Sequence, residues 1–307
     1  MADWTQLGSD IDGEAVDDRS GWSVSLSSDG SIVAIGANLN DGAGNNAGHV
    51  RVYEYSGGSW SQKGGDIDGE AADDNSGFSV SLNGDGSIVA IGARYNDGAG
   101  NNAGHVRVYE WNSGTSAWVQ KGGDIDGEAA NDLSGYSVSL SSDGSIVAIG
   151  AVFNDGTASN AGHVRVYEYS GSSWSQKGGD IDGEAADDLS GYKVSLSDDG
   201  SIVAIGAPSN DGGGSSAGHV RVYEYSGSSW SQKGGDIDGE AAGDESGYNV
   251  SLNGDGSIVA IGAYGNDGTA TSAGHVRVYE YSGGSWVQKG DDIDGEAAYD
   301  YSGFSVS

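Results

Sequence analysis

Short apolar runs separated by Gly, Asn, Asp and Ser set the pattern of this chain, and the pattern recurs. In the first copy, Gly21–Ser27 (GWSVSLS) alternates apolar and polar positions with a period of two, the mark of a half-buried strand. Asp29-Gly30 follows, a strong hairpin signal between β-type runs. Ser31–Ala37 (SIVAIGA) is nearly continuous in apolar residues, as expected of a strand covered on both faces. A Gly- and Asn-rich loop leads to His49–Tyr55 (HVRVYEY), β-branched and aromatic. A Ser-Gly-Gly turn then leads to Ser59–Ile67, and the segment DGEAADD closes the unit. These four runs are strands a, b, c and d. No segment carries a capped helical period, so an all-β chain is predicted.

The unit repeats about every 56 residues. The Ile of the string DIDGE falls at 11, 67, 125, 181, 237 and 293. The one longer step contains Tyr109–Trp118, where the c–d turn is two residues longer than elsewhere. Periods of this size with four strands indicate propeller blades. The fold class read from the sequence is therefore an all-β β-propeller of four-stranded blades, five full and a partial sixth. One domain is expected over 1–307, with repeats 12–67, 68–125, 126–181, 182–237 and 238–293. Segments 1–11 and 294–307 would belong to an incomplete or shared blade. The chain opens in a strand d and stops inside a strand a. Closure of five blades, a longer array, and completion by another chain all remain open.

The tripeptides SGW, SGF and SGY before strand a, and IGA at the end of strand b, resemble the FG-GAP repeat of integrin α-subunit propellers and their bacterial and algal relatives. Val203–Pro208 (VAIGAP) carries the GAP letters, while Gly77-Phe78 and Gly303-Phe304 invert the FG pair. The resemblance spans essentially the whole chain and implies a propeller with strand a innermost and strand d outermost. The family's calcium loop lies between strands a and b. Here that turn is only SSDGS, NGDGS or SDDGS, too short for the full cage.

Charge narrows the function. The chain holds 46 acidic and 13 basic residues, a formal net charge of −33, and no Cys. Disulfides and thiolate chemistry are excluded. Nucleic acid is not expected as a partner, because phosphate binding needs Lys and Arg. No apolar run approaches a membrane span, so no membrane insertion is expected. The N-terminus lacks the form of a signal peptide, and an extracellular or cell-surface location is favoured only within a longer exported protein. In an up-and-down blade the b–c and d–a connections share one rim. Of the 46 acids, 34 fall in those segments, with only Arg19 and Arg94 among them as cations.

Two kinds of candidate follow. DIDGE alternates carboxylates around a Gly, which suits a hard cation such as Ca²⁺; the candidate ligands are Asp66, Asp68, Glu70, Asp73 and Asp97. Positions that differ between copies are either unconstrained surface sites free to drift or a recognition surface: the pairs Asn38-Leu39, Arg94-Tyr95, Val152-Phe153, Pro208-Ser209 and Tyr264-Gly265, and the d–a series from Arg19 to Tyr301. The candidate ligand-binding residues are Arg19, Leu39, Tyr95, Phe153, Tyr264 and Tyr301, on loops held by a fixed frame. The five His of GHVRVY share a strand face with Arg and Tyr and read as a polar ladder between blades. The strand-d Trp read as packing anchors. Nearly every candidate group exists in five copies, which argues against a single catalytic constellation. The favoured function is a non-catalytic binding or adhesion scaffold for a protein or glycan ligand. The alternatives are a structural array, recently amplified or engineered, and a Ca-dependent propeller hydrolase. Self-association through the incomplete terminal blade is also expected.

Overall fold

A computed structural model describes residues 5–307. It contains five antiparallel sheets and, among the described residues, no helix. The first sheet comprises β1 (Ser20–Leu26), β2 (Ile32–Ala37), β3 (His49–Ser56), β4 (Ser59–Gln62) and β5 (Ile67–Asp68). The spatial order is β1-β2-β3-β4, with β5 also on β3. The same unit recurs four times. These are the blades of a β-propeller fold, with strand a on one edge of each sheet and strand d on the other.

The register follows from the sequence pattern. Ala34 of β2 lies opposite Val52 of β3, and all six residues of β2 are buried. The Asp29 carboxylate closes the β1–β2 hairpin by accepting from the Ser31 N–H at 2.9 Å and from the Ser27 and Ser31 hydroxyls. Those donors hold its pKa down to about 2. A register shift between Ser20 and Ser23 leaves Gly21 and Trp22 outside the regular ladder, the kind of bulge that re-aims a side chain.

Strand d differs from expectation. Ser59–Ile67 is not one strand but two, β4 and β5, lying end to end along β3: Tyr55 faces Trp60 and Val50 faces Ile67. The break is at Gly64 (φ +83°), where a Cβ would come within about 3 Å of the Trp111 and Trp118 rings of the next blade. A side chain there would push out the indole that seats the neighbour.

Blades join through layers that the motifs supply. Ile32, Ala34, Val50, Val52 and Ile67 of the first blade pack on Leu82, Val89 and Ile91 of the second, and the next three interfaces repeat this. Each strand-d indole reaches back across the interface. Trp118 Nε1 donates to Lys63 O at 2.7 Å, and Trp174, Trp230 and Trp286 repeat the bond. At the inner edge Gly36 of IGA lies against the Gly77 carbonyl of the next SGF, with no room for a Cβ. The tripeptides that carry the family resemblance are thus the points where consecutive blades touch.

Candidate functional site

Two constellations recur along the array. The first lies between blades. His105 and Arg107 project from a copy of β3 (His105–Asn112) and meet Glu70 from the preceding d–a segment. Arg107 Nη1 is 3.4 Å from Glu70 Oε1, and Arg107 Nη2 donates to Asp68 O at 2.7 Å. The imidazole is buried, with Nδ1 3.8 Å from Glu70 Oε2. Asp124 completes a Glu-His-Asp group whose ligand atoms lie within 4.8 Å of one another. Equivalent groups are Glu14-His49-Asp66, Glu128-His163-Asp180, Glu184-His219-Asp236 and Glu240-His275-Asp292. Burial, reinforced by the neighbouring Arg, pulls the His105 and His163 pKa values down to about 4, so both imidazoles are neutral at pH 7. The polar ladder foreseen from GHVRVY is present, with the DIDGE Glu as its outer member.

This geometry separates the proposed calcium ligands. Asp66 faces the group of its own blade and Glu70 the group of the next. Asp68 offers its backbone carbonyl to Arg107. Asp73 accepts from the Asn45 and Asn46 side chains, and Asp97 accepts from the Asn102 N–H. The five carboxylates therefore do not form one cluster, since Asp66 and Glu70 belong to different Glu-His-Asp groups and Asp73 and Asp97 accept from separate loop donors. The Glu-His-Asp groups do not fit Ca²⁺ either. That ion takes six to eight oxygen ligands, whereas each group offers one ring nitrogen, one Asp and a Glu already paired with an Arg at 3.1–3.5 Å. Those five strand-c Arg also correct the charge picture, since Arg19 and Arg94 are not the only cations facing the rim acids.

The second constellation is the rim itself. The d–a and b–c loops are tied by a buried carboxylate: Asp132 accepts from Asn154 Nδ2 at 2.9 Å and from the Ala129 N–H. Asp74–Asn96, Asp188–Asn210 and Asp244–Asn266 repeat the pair. Inside this frame the aromatic residues that begin strand a form one row. Trp22, Phe78, Tyr136, Tyr192, Tyr248 and Phe304 follow one another at centroid separations of 4.8–5.6 Å. The four central rings are half-buried, and the two end rings are exposed. Burial pushes the Tyr136 and Tyr192 phenols upward in pKa.

Several predicted recognition residues meet this row. The Arg19 guanidinium lies over Trp22 at 5.4 Å. Tyr95 flanks Arg94, which stacks on Phe78 at 3.7 Å; the Arg94 Nε is buried without a hydrogen-bond partner. Tyr264 packs on Tyr248 and near Tyr301, and its hydroxyl donates to Glu245 at 2.8 Å. Tyr95 and Tyr264 are thus half-buried rather than exposed aromatics. Tyr264 occupies the first place of its pair, equivalent to Arg94 and not to Tyr95, and so points to the row. Leu39 and Phe153 occupy the second place and make no ring contact with it; Phe153 is exposed. The sequence reading missed the row as a surface. Its signal was present, since every copy has an aromatic after the SG pair, but the stacking of rings from successive blades is a tertiary feature.

No protein-family model matches the chain, and no curated protein matches it by sequence. Solved structures do. The periplasmic gluconolactonase of Pseudomonas aeruginosa is 14% identical, with a TM-score of 0.58 over 90% of this chain and 72% of that one. Hydrazine synthase of Kuenenia stuttgartiensis is 12% identical, with a TM-score of 0.55 over 91% of this chain and 69% of that one. At this identity the likeness concerns the β-propeller fold alone.

Proposed function

We propose that the chain is a non-catalytic binding scaffold whose ligand, a protein or a glycan, docks on the rim formed by the b–c and d–a loops. The observation that carries this reading is the half-exposed aromatic row from Trp22 to Phe304, with Arg94 and Tyr264 stacked on it. Aromatic and Arg side chains dominate the energetics of binding surfaces, and these two occupy positions that hold Asn38, Val152 and Pro208 in other copies. The resemblance to FG-GAP repeats is in keeping with such a role. The five His groups add no catalytic argument, because four of them join consecutive blades and the first joins the N-terminal segment to the first blade. The solved enzymes of similar fold leave a hydrolase as the second class, without a residue of this chain to carry it.

Glycan and basic-peptide arrays would identify the ligand, and the variant Arg94→Asn/Tyr264→Asn tests the face. The first copy already has Asn38 at this position, so the fold should persist. Binding should fall at least tenfold, whereas Glu110→Gln, on the outer hairpin, should leave it unchanged. The opposite pattern would place the ligand elsewhere.

A further inference from the structure

The four inter-blade interfaces show what each face of a blade needs, and the two ends of the array lack it. On the leading face, Val24 and Leu26 are 63% and 59% exposed. Of their eight equivalents, Leu82, Val138, Leu140, Val194, Leu196 and Val250 are buried, and Val80 and Leu252 are half-buried against the adjoining cluster. On the trailing face, Ile293 is 58% exposed, although Ile67, Ile125, Ile181 and Ile237 are each 4% exposed. Ile258, Ala260, Val276 and Val278 beside it are only half-buried. Lys289 is 52% exposed where Lys63, Lys121, Lys177 and Lys233 are 12–13% exposed. Those four Lys lie over a ring of the following blade, and Lys289 has no such ring. Each blade packs extensively on the next, but the first and fifth make no comparable contact.

We propose that a second copy of this chain docks head to tail, its leading face (Val24, Leu26) seated on the trailing face (Ile293, Lys289) of the first. The complementarity is not inferred from shape alone. The same side chains, in the same register, already form an interface four times within the molecule, so the contact continues one that exists. It is heterologous: one face meets a different face and leaves a free face at each end.

The register also specifies an exchange. Residues 294–307 repeat the motif of 12–25, and Phe304 already stacks on Tyr248 where a following strand a would lie. Residues 5–14 lie where a preceding strand d would, with Leu7 O accepting from Trp60 Nε1 and Asp12 O from Arg51. On docking, β1 of the second copy replaces residues 302–307 of the first. The Ser285–Gln288 and Ile293–Asp294 strands of the first replace residues 5–14 of the second. Each displaced segment is held by few bonds, and the buried apolar face drives the replacement. The formal charge of −33 on each copy opposes association, so salt should strengthen it by screening.

Sedimentation velocity over a hundredfold concentration range, at low and raised NaCl, tests the proposal. The parent should form oligomers that grow with concentration and salt. Val24→Asp and Ile293→Asp each place a charge on one exposed face position, so both should melt like the parent yet remain monomeric. Mixed, they should form a one-to-one dimer and nothing larger, since only one good face of each kind remains. Leu26→Asp and Lys289→Glu serve the same purpose if either variant folds poorly. A parent that stays monomeric throughout, a single variant that still associates, or a mixture that stays monomeric would each overturn the proposal.

Discussion

Ile125 and Ile293 occupy the same place in the same motif, yet one is 4% exposed and the other 58%. Ile125 belongs to a cluster with Val106, Val108, Val138, Leu140, Val147 and Ile149. Ile125→Ala removes three buried carbons, worth about 2.4 kcal/mol in transfer free energy. The cavity left in a packed interface brings the total to about 3–5 kcal/mol. Ile293→Ala removes the same atoms from a largely solvated position and should cost less than about 1 kcal/mol. Urea unfolding at protein concentrations low enough to exclude association would measure both. With an m-value of about 3 kcal/mol per M, the first variant shifts the midpoint by about 1 M or more and the second by less than about 0.3 M. Equal shifts would mean that the trailing face is covered in the monomer, and the reasoning from open ends would fail.

Two further outcomes are expected. His105 and His163 titrate near 4 in the fold against about 6.5 in the unfolded chain. The unfolded state therefore binds protons first, and this stability is full above about pH 6.5 and is lost as pH falls towards 4, by up to about 3 kcal/mol per His. Urea midpoints of the parent should fall from about pH 6.5 to about 5 more steeply than those of His105→Asn/His163→Asn; parallel curves would refute the assignment. Millimolar Ca²⁺ and EDTA at matched ionic strength should give equal melting midpoints, because the DIDGE carboxylates diverge and the Glu-His-Asp groups do not suit that ion; a rise of several degrees in Ca²⁺ would contradict this.

The blade was legible in the sequence because its determinants are local. Period-two alternation, the buried run SIVAIGA and the Asp-Gly turn act within a few residues of one another, and β1 to β3 form where they indicate. The shared rim of the b–c and d–a loops followed from strand order alone. The His-Arg face of strand c was also readable, since i and i+2 on a strand share a side. What packing decided lies about 56 residues apart. Gly64 must be a glycine because indoles of the next blade sit against it, whereas the equivalent Gly290 of the fifth blade meets nothing. The carboxylates of one DIDGE segment, adjacent in sequence, serve two successive interfaces, so spacing could not show that they part. Tyr264 and Arg94 meet a row of rings built from different blades. The identical Ile of DIDGE is core at 67, 125, 181 and 237 and surface at 293, because burial depends on whether a neighbouring blade is present, which no repeat unit records by itself.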